Sequence, residues 1–169
     1  TNTGTLTSAG ALSVGTLEND ELVRVATGST LSMDSGSALI NRDRLVVQGT
    51  LEGQVSNRAS TVMSGGTLRG SVTNTSTGTF SGTGTVTGTL SNNGLLRADG
   101  ALSVGQVINN AETEILAGGR LASENAVVNN DRLNVAGTLA ADLANAAGAT
   151  ATLAGGTVAG DIDNRGTLS

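Results

Sequence analysis

Apolar residues return along this chain on a fixed schedule, and an asparagine closes each round. The phrases GTLEGQVSN (49–57), GTLRGSVTN (66–74), GTVTGTLSN (84–92) and GTVAGDIDN (156–164) share the form G-T-[LV]-x-G-x-[VLI]-x-N. GTLAADLAN (137–145) swaps one glycine for alanine, and GALSVGTLEN (10–19) and GALSVGQVIN (100–109) each carry one extra residue. The closing asparagines are Asn2, Asn19, Asn41, Asn57, Asn74, Asn92, Asn109, Asn129, Asn145 and Asn164, spaced by 17, 22, 16, 17, 18, 17, 20, 16 and 19 residues, an average of 18. Two places before every asparagine after the first stands an apolar residue: Leu17, Leu39, Val55, Val72, Leu90, Val107, Val127, Leu143 or Ile162. A second apolar set lies about four places further back: Leu12, Leu51, Leu68, Val86, Leu102, Leu121, Leu139 and Val158.

Within a unit the period is two. Leu45, Val47, Gly49, Leu51, Gly53, Val55 and Asn57 share one parity, and Leu133, Val135, Gly137, Leu139, Ala141, Leu143 and Asn145 repeat the arrangement. Such alternation predicts strands with one buried face. Helix does not compete, because glycine recurs every few residues at a cost of about 1 kcal/mol each in a helix interior. Each unit therefore reads as two or three short strands joined by glycine-rich corners. A single unit cannot bury its apolar face, whereas stacked units place like residues over like. The predicted fold is all-β, a single-stranded parallel β-helix of about nine coils of about 18 residues, forming one repeat segment over 1–169. At a strand spacing of about 4.8 Å, nine coils make a rod of roughly 40–45 Å. The asparagines share parity with the inward Val or Leu, so they are expected to stack in a corner, amide on amide. Asparagine also tolerates the left-handed backbone a corner is expected to need. The glycine of G-T-L is expected to supply positive φ, and the glycine of L-x-G-x-V to allow close approach.

Composition fits a thin coil. The chain has one aromatic residue, Phe80, and no Cys, His, Trp, Tyr or Pro. Leu, Val, Ala and Thr suffice to fill a narrow lumen. A net charge of −5 and the absence of any basic cluster argue against nucleic acid or an anionic membrane as a partner, and no nucleic acid is expected. No apolar run approaches the ~18 residues of a membrane-spanning helix.

The phrases NTSTGTFSGTGTVTGTLSNNG (74–94) and NNGLLRADGALSVGQVINN (92–110) resemble passenger regions of bacterial autotransporters and related surface adhesins of the AIDA and antigen-43 type. The resemblance runs over nearly the whole chain. It departs in its corners, where Gly-Gly appears only at 65–66, 118–119 and 155–156. It implies a right-handed β-helix, secretion to the bacterial cell surface, either anchored at the outer membrane or released, and a role in adhesion or self-aggregation. The partners it implies are neighbouring coils of the same protein, other copies on other cells, and a host receptor or glycan. The chain opens inside one phrase, TNTGTLTS, and closes inside another, NRGTLS, so we expect it to be part of a longer rod.

Catalytic chemistry finds little here. Without His or Cys the usual general base and thiol nucleophile are absent. Carboxylate pairs suited to glycosidic cleavage are Glu18 with Asp20 and Glu21, Glu112 with Glu114, and Asp161 with Asp163. A sugar groove also calls for aromatic platforms, and these are missing. The favoured reading is that the acids keep a β surface soluble, so no catalytic, cofactor-binding or metal residue is assigned, and no cofactor. Polysaccharide binding or cleavage remains an alternative reading. Asp161, Asp163 and Asn164 offer oxygen ligands for Ca²⁺ without a wider cluster. NRDR (41–44) and NNDR (129–132) read as solvated corner charges. Ice binding is a further alternative, since Thr30, Thr50, Thr67, Thr85, Thr138 and Thr157 fall at equivalent places, but Glu52, Arg69 and Arg120 interrupt any flat plane. The long units 19–41 and 109–129 are where a binding module would carry decoration.

Overall fold

In a computed structural model covering residues 1–169 the chain winds into nine stacked coils, all β and without helix. Every paired strand is parallel to its partner one coil away. Each coil has three faces. The first is represented by Leu22–Val25, Arg44–Val47, Leu95–Ala98 and Arg132–Val135. The second is represented by Thr30–Met33, Thr50–Glu52 and Thr138–Ala140, and the third by Leu17–Asn19, Gln54–Asn57 and Leu143–Asn145. In the middle of the rod the corners straighten. Ser60–Arg69 joins two faces in one strand, Thr79–Asn92 joins all three, and Ala101–Asn109 joins two.

The predicted third-face column holds in register: Leu17 pairs with Leu39, Leu39 with Val55, Val55 with Val72, Val72 with Leu90, and Leu90 with Val107. It resumes as Val127, Leu143 and Ile162. The second-face column runs from Leu12 through Leu31, Leu51 and Leu68 to Val86. There it departs from expectation, because Val86 pairs with Val104 and Leu102 pairs with Gly84. The cause lies in the sequence. GALSVGQVIN has one residue more than GTVTGTLSN, and a two-residue slip keeps both Leu102 and Val104 buried. Leu102 then carries the column on through Leu121 and Leu139 to Val158.

The first face adds a third inward set, including Val23, Val25, Leu45, Val47, Leu96, Ile115, Leu133 and Val135, all buried. Phe80 is fully buried in this set, between Thr61 and Leu96, so its bulk is offset by a small neighbour on one side. Together 29 residues form one continuous core along the axis. Each fully buried Leu or Val contributes roughly 1.5–3 kcal/mol. Val158 is only partly buried and Ile162 is 38% exposed. Both keep their register, but no coil lies over them in this chain.

Extra residues in the longer units are absorbed by tight four-residue turns. Unit 19–41 has two, in which Ser29 N donates to Ala26 O at 3.0 Å and Ser37 N to Asp34 O at 2.9 Å. Gly28 and Gly36 sit at the third turn position with φ of 74° and 78°, as a type II turn requires. Similar turns occur at 75–78, 116–119 and 146–149. Two sequence expectations need correction here. No residue other than glycine has positive φ, so the corner asparagines do not use the left-handed region. Among the G-T-[LV] glycines only Gly84 has positive φ. Gly49 and Gly137 are glycine for a different reason: a Cβ on either would meet carbonyl oxygens of the four-residue turn one coil below.

Candidate functional site

The most ordered polar feature is the corner column of asparagines. Each Nδ2 from Asn2 to Asn145 donates to the Oδ1 of the next asparagine, at 2.7–2.9 Å. From Asn2 to Asn129 the same Nδ2 also faces a carbonyl of its own corner and one of the following coil, whereas Asn145 has only the latter, Thr167 O. For Asn92 these are Gly94 O at 3.1 Å and Glu112 O at 2.7 Å. The eight asparagines from Asn19 to Asn145 are at most 1% exposed, while Asn164 keeps its place in the ladder but is exposed. An amide suits this site because it both donates and accepts, so a chain of identical groups satisfies itself. Satisfaction matters because a buried amide without partners costs about 1–3 kcal/mol. The eight buried asparagines are therefore committed to the fold and have no open face for a ligand.

Outside this column runs a second one, at the residue following each asparagine. It begins with ions: Arg42 binds Glu18 through both terminal nitrogens, at 3.0 and 3.2 Å, and Asp20 at 3.2 Å. Hydrogen bonding and the charge of Arg42 hold the Glu18 carboxyl below the usual carboxylate range, and the bonds to Glu18 and then Asp20 push the Arg42 guanidinium up. Further along, the column turns to amides. Asn110 Nδ2 donates to Asn93 Oδ1 at 3.1 Å, and Asn130 Nδ2 to Asn110 Oδ1 at 2.8 Å. All three are exposed. This outer ladder was not anticipated from the sequence, although its signal is there in the doublets Asn92-Asn93, Asn109-Asn110 and Asn129-Asn130.

The acids considered for catalysis are spread over the outside of the rod, and several are paired across or within coils. Glu114 meets Arg97 at 3.1 Å, Glu112 meets Arg132 at 3.4 Å, and Asp163 meets Arg165 at 3.0 Å. Glu52, which interrupts the threonine face, binds Arg69 at 3.0 Å and accepts from Ser32 at 2.9 Å. Of the oxygen ligands considered for Ca²⁺, Asn164 Oδ1 accepts from Asn145 and Asp163 is bound to Arg165. No cluster of three or more carboxylates with metal-site geometry occurs. Surface relief is slight. Two open depressions, of about 190 and 200 Å³, lie beside Val128 and Ala144 and beside Arg132 and Asn134.

Comparison with models of known protein families, with curated proteins and with solved structures returned no match. The chain is a rod whose inner asparagine ladder satisfies its own hydrogen bonds and whose outside carries hydroxyls, amides and ion pairs.

Proposed function

We propose that the chain is a stalk segment of a bacterial cell-surface adhesin of the autotransporter type, displayed outside the cell, where it contributes to adhesion or self-aggregation. The observation that carries this reading is the inner asparagine ladder, which runs unbroken through all nine coils. A ladder of buried amides fixes the rise and register of each coil on the next, and a fixed register is what a spacer rod needs. Insertions are held in tight turns, which leaves the rod regular and its outer faces free to meet another surface. The sequence resemblance to passenger regions supports the surface setting.

The test is display. The chain is placed between an outer-membrane anchor and a terminal epitope on a non-aggregating bacterium. Epitope height is compared with that of an anchor-only control, and cell settling is followed in parallel. A height gain of roughly 40–45 Å with settling supports the adhesive stalk. The same gain without settling narrows the role to spacing. No height gain and no settling would overturn the proposal.

A further inference from the structure

We infer that Asn93 is a site of spontaneous deamidation, and that the side chain of Asn110 on the next coil accelerates the reaction. Two separate structural demands create the site. The outer ladder uses an amide at 93, whose Oδ1 accepts from Asn110 Nδ2 at 3.1 Å. Packing requires glycine at 94, because a Cβ there would meet the carbonyl oxygens of Thr75 and Gly78, the two ends of the turn on the coil beneath. Where both demands fall together the chain must write Asn-Gly, the pair in which the following residue least obstructs attack by its own nitrogen. The other outer-ladder members escape this. Asn110 is followed by Ala111 and Asn130 by Asp131.

The reaction needs only water and hydroxide. Hydroxide removes the Gly94 N–H, and the backbone nitrogen attacks Cγ of Asn93. An N–Cγ bond forms, negative charge collects on Oδ1, and collapse breaks the Cγ–Nδ2 bond. The departing nitrogen takes a proton from water and leaves as ammonia. The product is a five-membered succinimide. Water then adds to one of its two carbonyls, opening the ring to aspartate or to isoaspartate.

Three features of the fold favour this course. Asn93 is exposed, so ammonia leaves directly into solvent. The Gly94 N–H donates to no backbone carbonyl, and its bond to Asn92 Oδ1 is long at 3.3 Å. Most specifically, the Asn110 N–H already points at the oxygen on which charge develops, the arrangement of an oxyanion donor. The two products differ in consequence. Aspartate still accepts from Asn110 and takes the net charge from −5 to −6. Isoaspartate adds a methylene to the main chain beside Gly94, whose carbonyl receives both Asn92 Nδ2 and Glu112 N, and so disturbs the corner.

The experiment incubates the folded chain in mildly alkaline buffer and follows each asparagine by tandem mass spectrometry of its peptides. Expected is conversion at Asn93 ahead of every other asparagine. In the folded state Asn110→Ala slows that conversion severalfold, and in denaturant parent and variant convert at one rate. Circular dichroism establishes that the variant is folded, and Asn110→Asp, which removes the donor at constant size, is the second variant. An Asn93 that stays intact in the folded chain while the denatured chain converts there would overturn the site. Equal folded-state rates in the parent and in both Asn110 variants would overturn the role of Asn110.

Discussion

The two asparagine ladders use the same hydrogen bond at nearly the same length. Asn74 Nδ2 reaches Asn92 Oδ1 at 2.7 Å in the inner ladder, and Asn130 Nδ2 reaches Asn110 Oδ1 at 2.8 Å in the outer one. They differ in what replaces the bond when it is broken. An outer amide turns to water. An inner amide at 0% exposure has no water to turn to, so the free energy at stake is the full desolvation of a polar group. Geometry alone does not rank the two; burial does. The inner ladder runs the length of the rod, whereas the outer column changes chemistry along it, from the Asp20–Arg42 pair to three amides.

The comparison breaks most sharply with a charge. Asn74→Asp replaces a donor by an oxygen facing Gly78 O, Leu95 O and Asn92 Oδ1, each about 3 Å from the present Nδ2. An unpaired buried carboxylate costs several kcal/mol, and we expect the variant to be largely unfolded at neutral pH. Burial among acceptors raises the folded-state pKa above the unfolded value, so the folded state binds the extra proton. Stability is then regained as pH falls and lost as pH rises through the raised pKa. Asn110→Asp leaves stability unchanged at any pH where the carboxylate is hydrated. Chemical denaturation of both variants across pH is the measurement, and equal losses would sink the ranking.

Removing the amide outright is the next largest effect. Asn74→Ala leaves the Asn57 Nδ2 and the Asn92 Oδ1 each short of a partner, and should cost about 1–3 kcal/mol. Asn110→Ala should stay within about 0.5 kcal/mol of the parent.

The inner ladder was legible in the sequence because one residue type recurs at one phase with an inward apolar residue two places before it. The core was legible at Leu51, Leu68, Leu139, Val55, Val72, Leu90 and Leu143 for the same reason, and all are buried. What stayed hidden depends on the coil beneath. Pairing of Leu102 with Gly84 follows from the relative lengths of two neighbouring units, which a motif consensus averages away. The corner glycines looked like demands of local backbone angle, yet Gly49 and Gly137 answer to carbonyls about twenty residues earlier in the chain. The outer ladder hid because an exposed asparagine resembles any polar corner residue until its neighbour one coil away is known.

Dependence on the coil beneath also makes position 94, next to the outer ladder's Asn93, sensitive to substitution. Positions 94 and 111 are equivalent, each two places past an inner asparagine, with Glu112 N bonding Gly94 O and Arg132 N bonding Ala111 O. A four-residue turn lies under Gly94, where its carbonyls occupy the Cβ position. Gly94→Ala should cost about 1–3 kcal/mol from overpacking against main chain that cannot move aside. Thermal unfolding measures it. A neutral result would mean that the 75–78 turn gives way, and that the outer column is softer than its hydrogen bonds suggest.

The smallest expected effect separates the two halves of the outer column by chemistry. Glu18→Gln removes the charge that Arg42 grips, while Asn110→Ala removes an uncharged contact. Both sites are exposed, so neither variant should differ much from the parent at neutral pH. They should differ in how the small effect depends on conditions. The Glu18 carboxyl is held below its usual range by hydrogen bonding to Arg42 and by its charge. A lowered carboxylate pKa contributes stability that is present above the unfolded value and lost as pH falls through the folded one. Parent and Glu18→Gln curves should therefore converge in acid, and also in molar salt, where the pair is screened. The Asn110→Ala difference should persist unchanged through both, because amides do not titrate and a neutral contact is not screened. Melting temperatures of the three proteins against pH and salt decide the matter. A Glu18→Gln difference that survives both acid and salt would mean that the start of the outer column is held by packing of the Arg42 stem and not by charge.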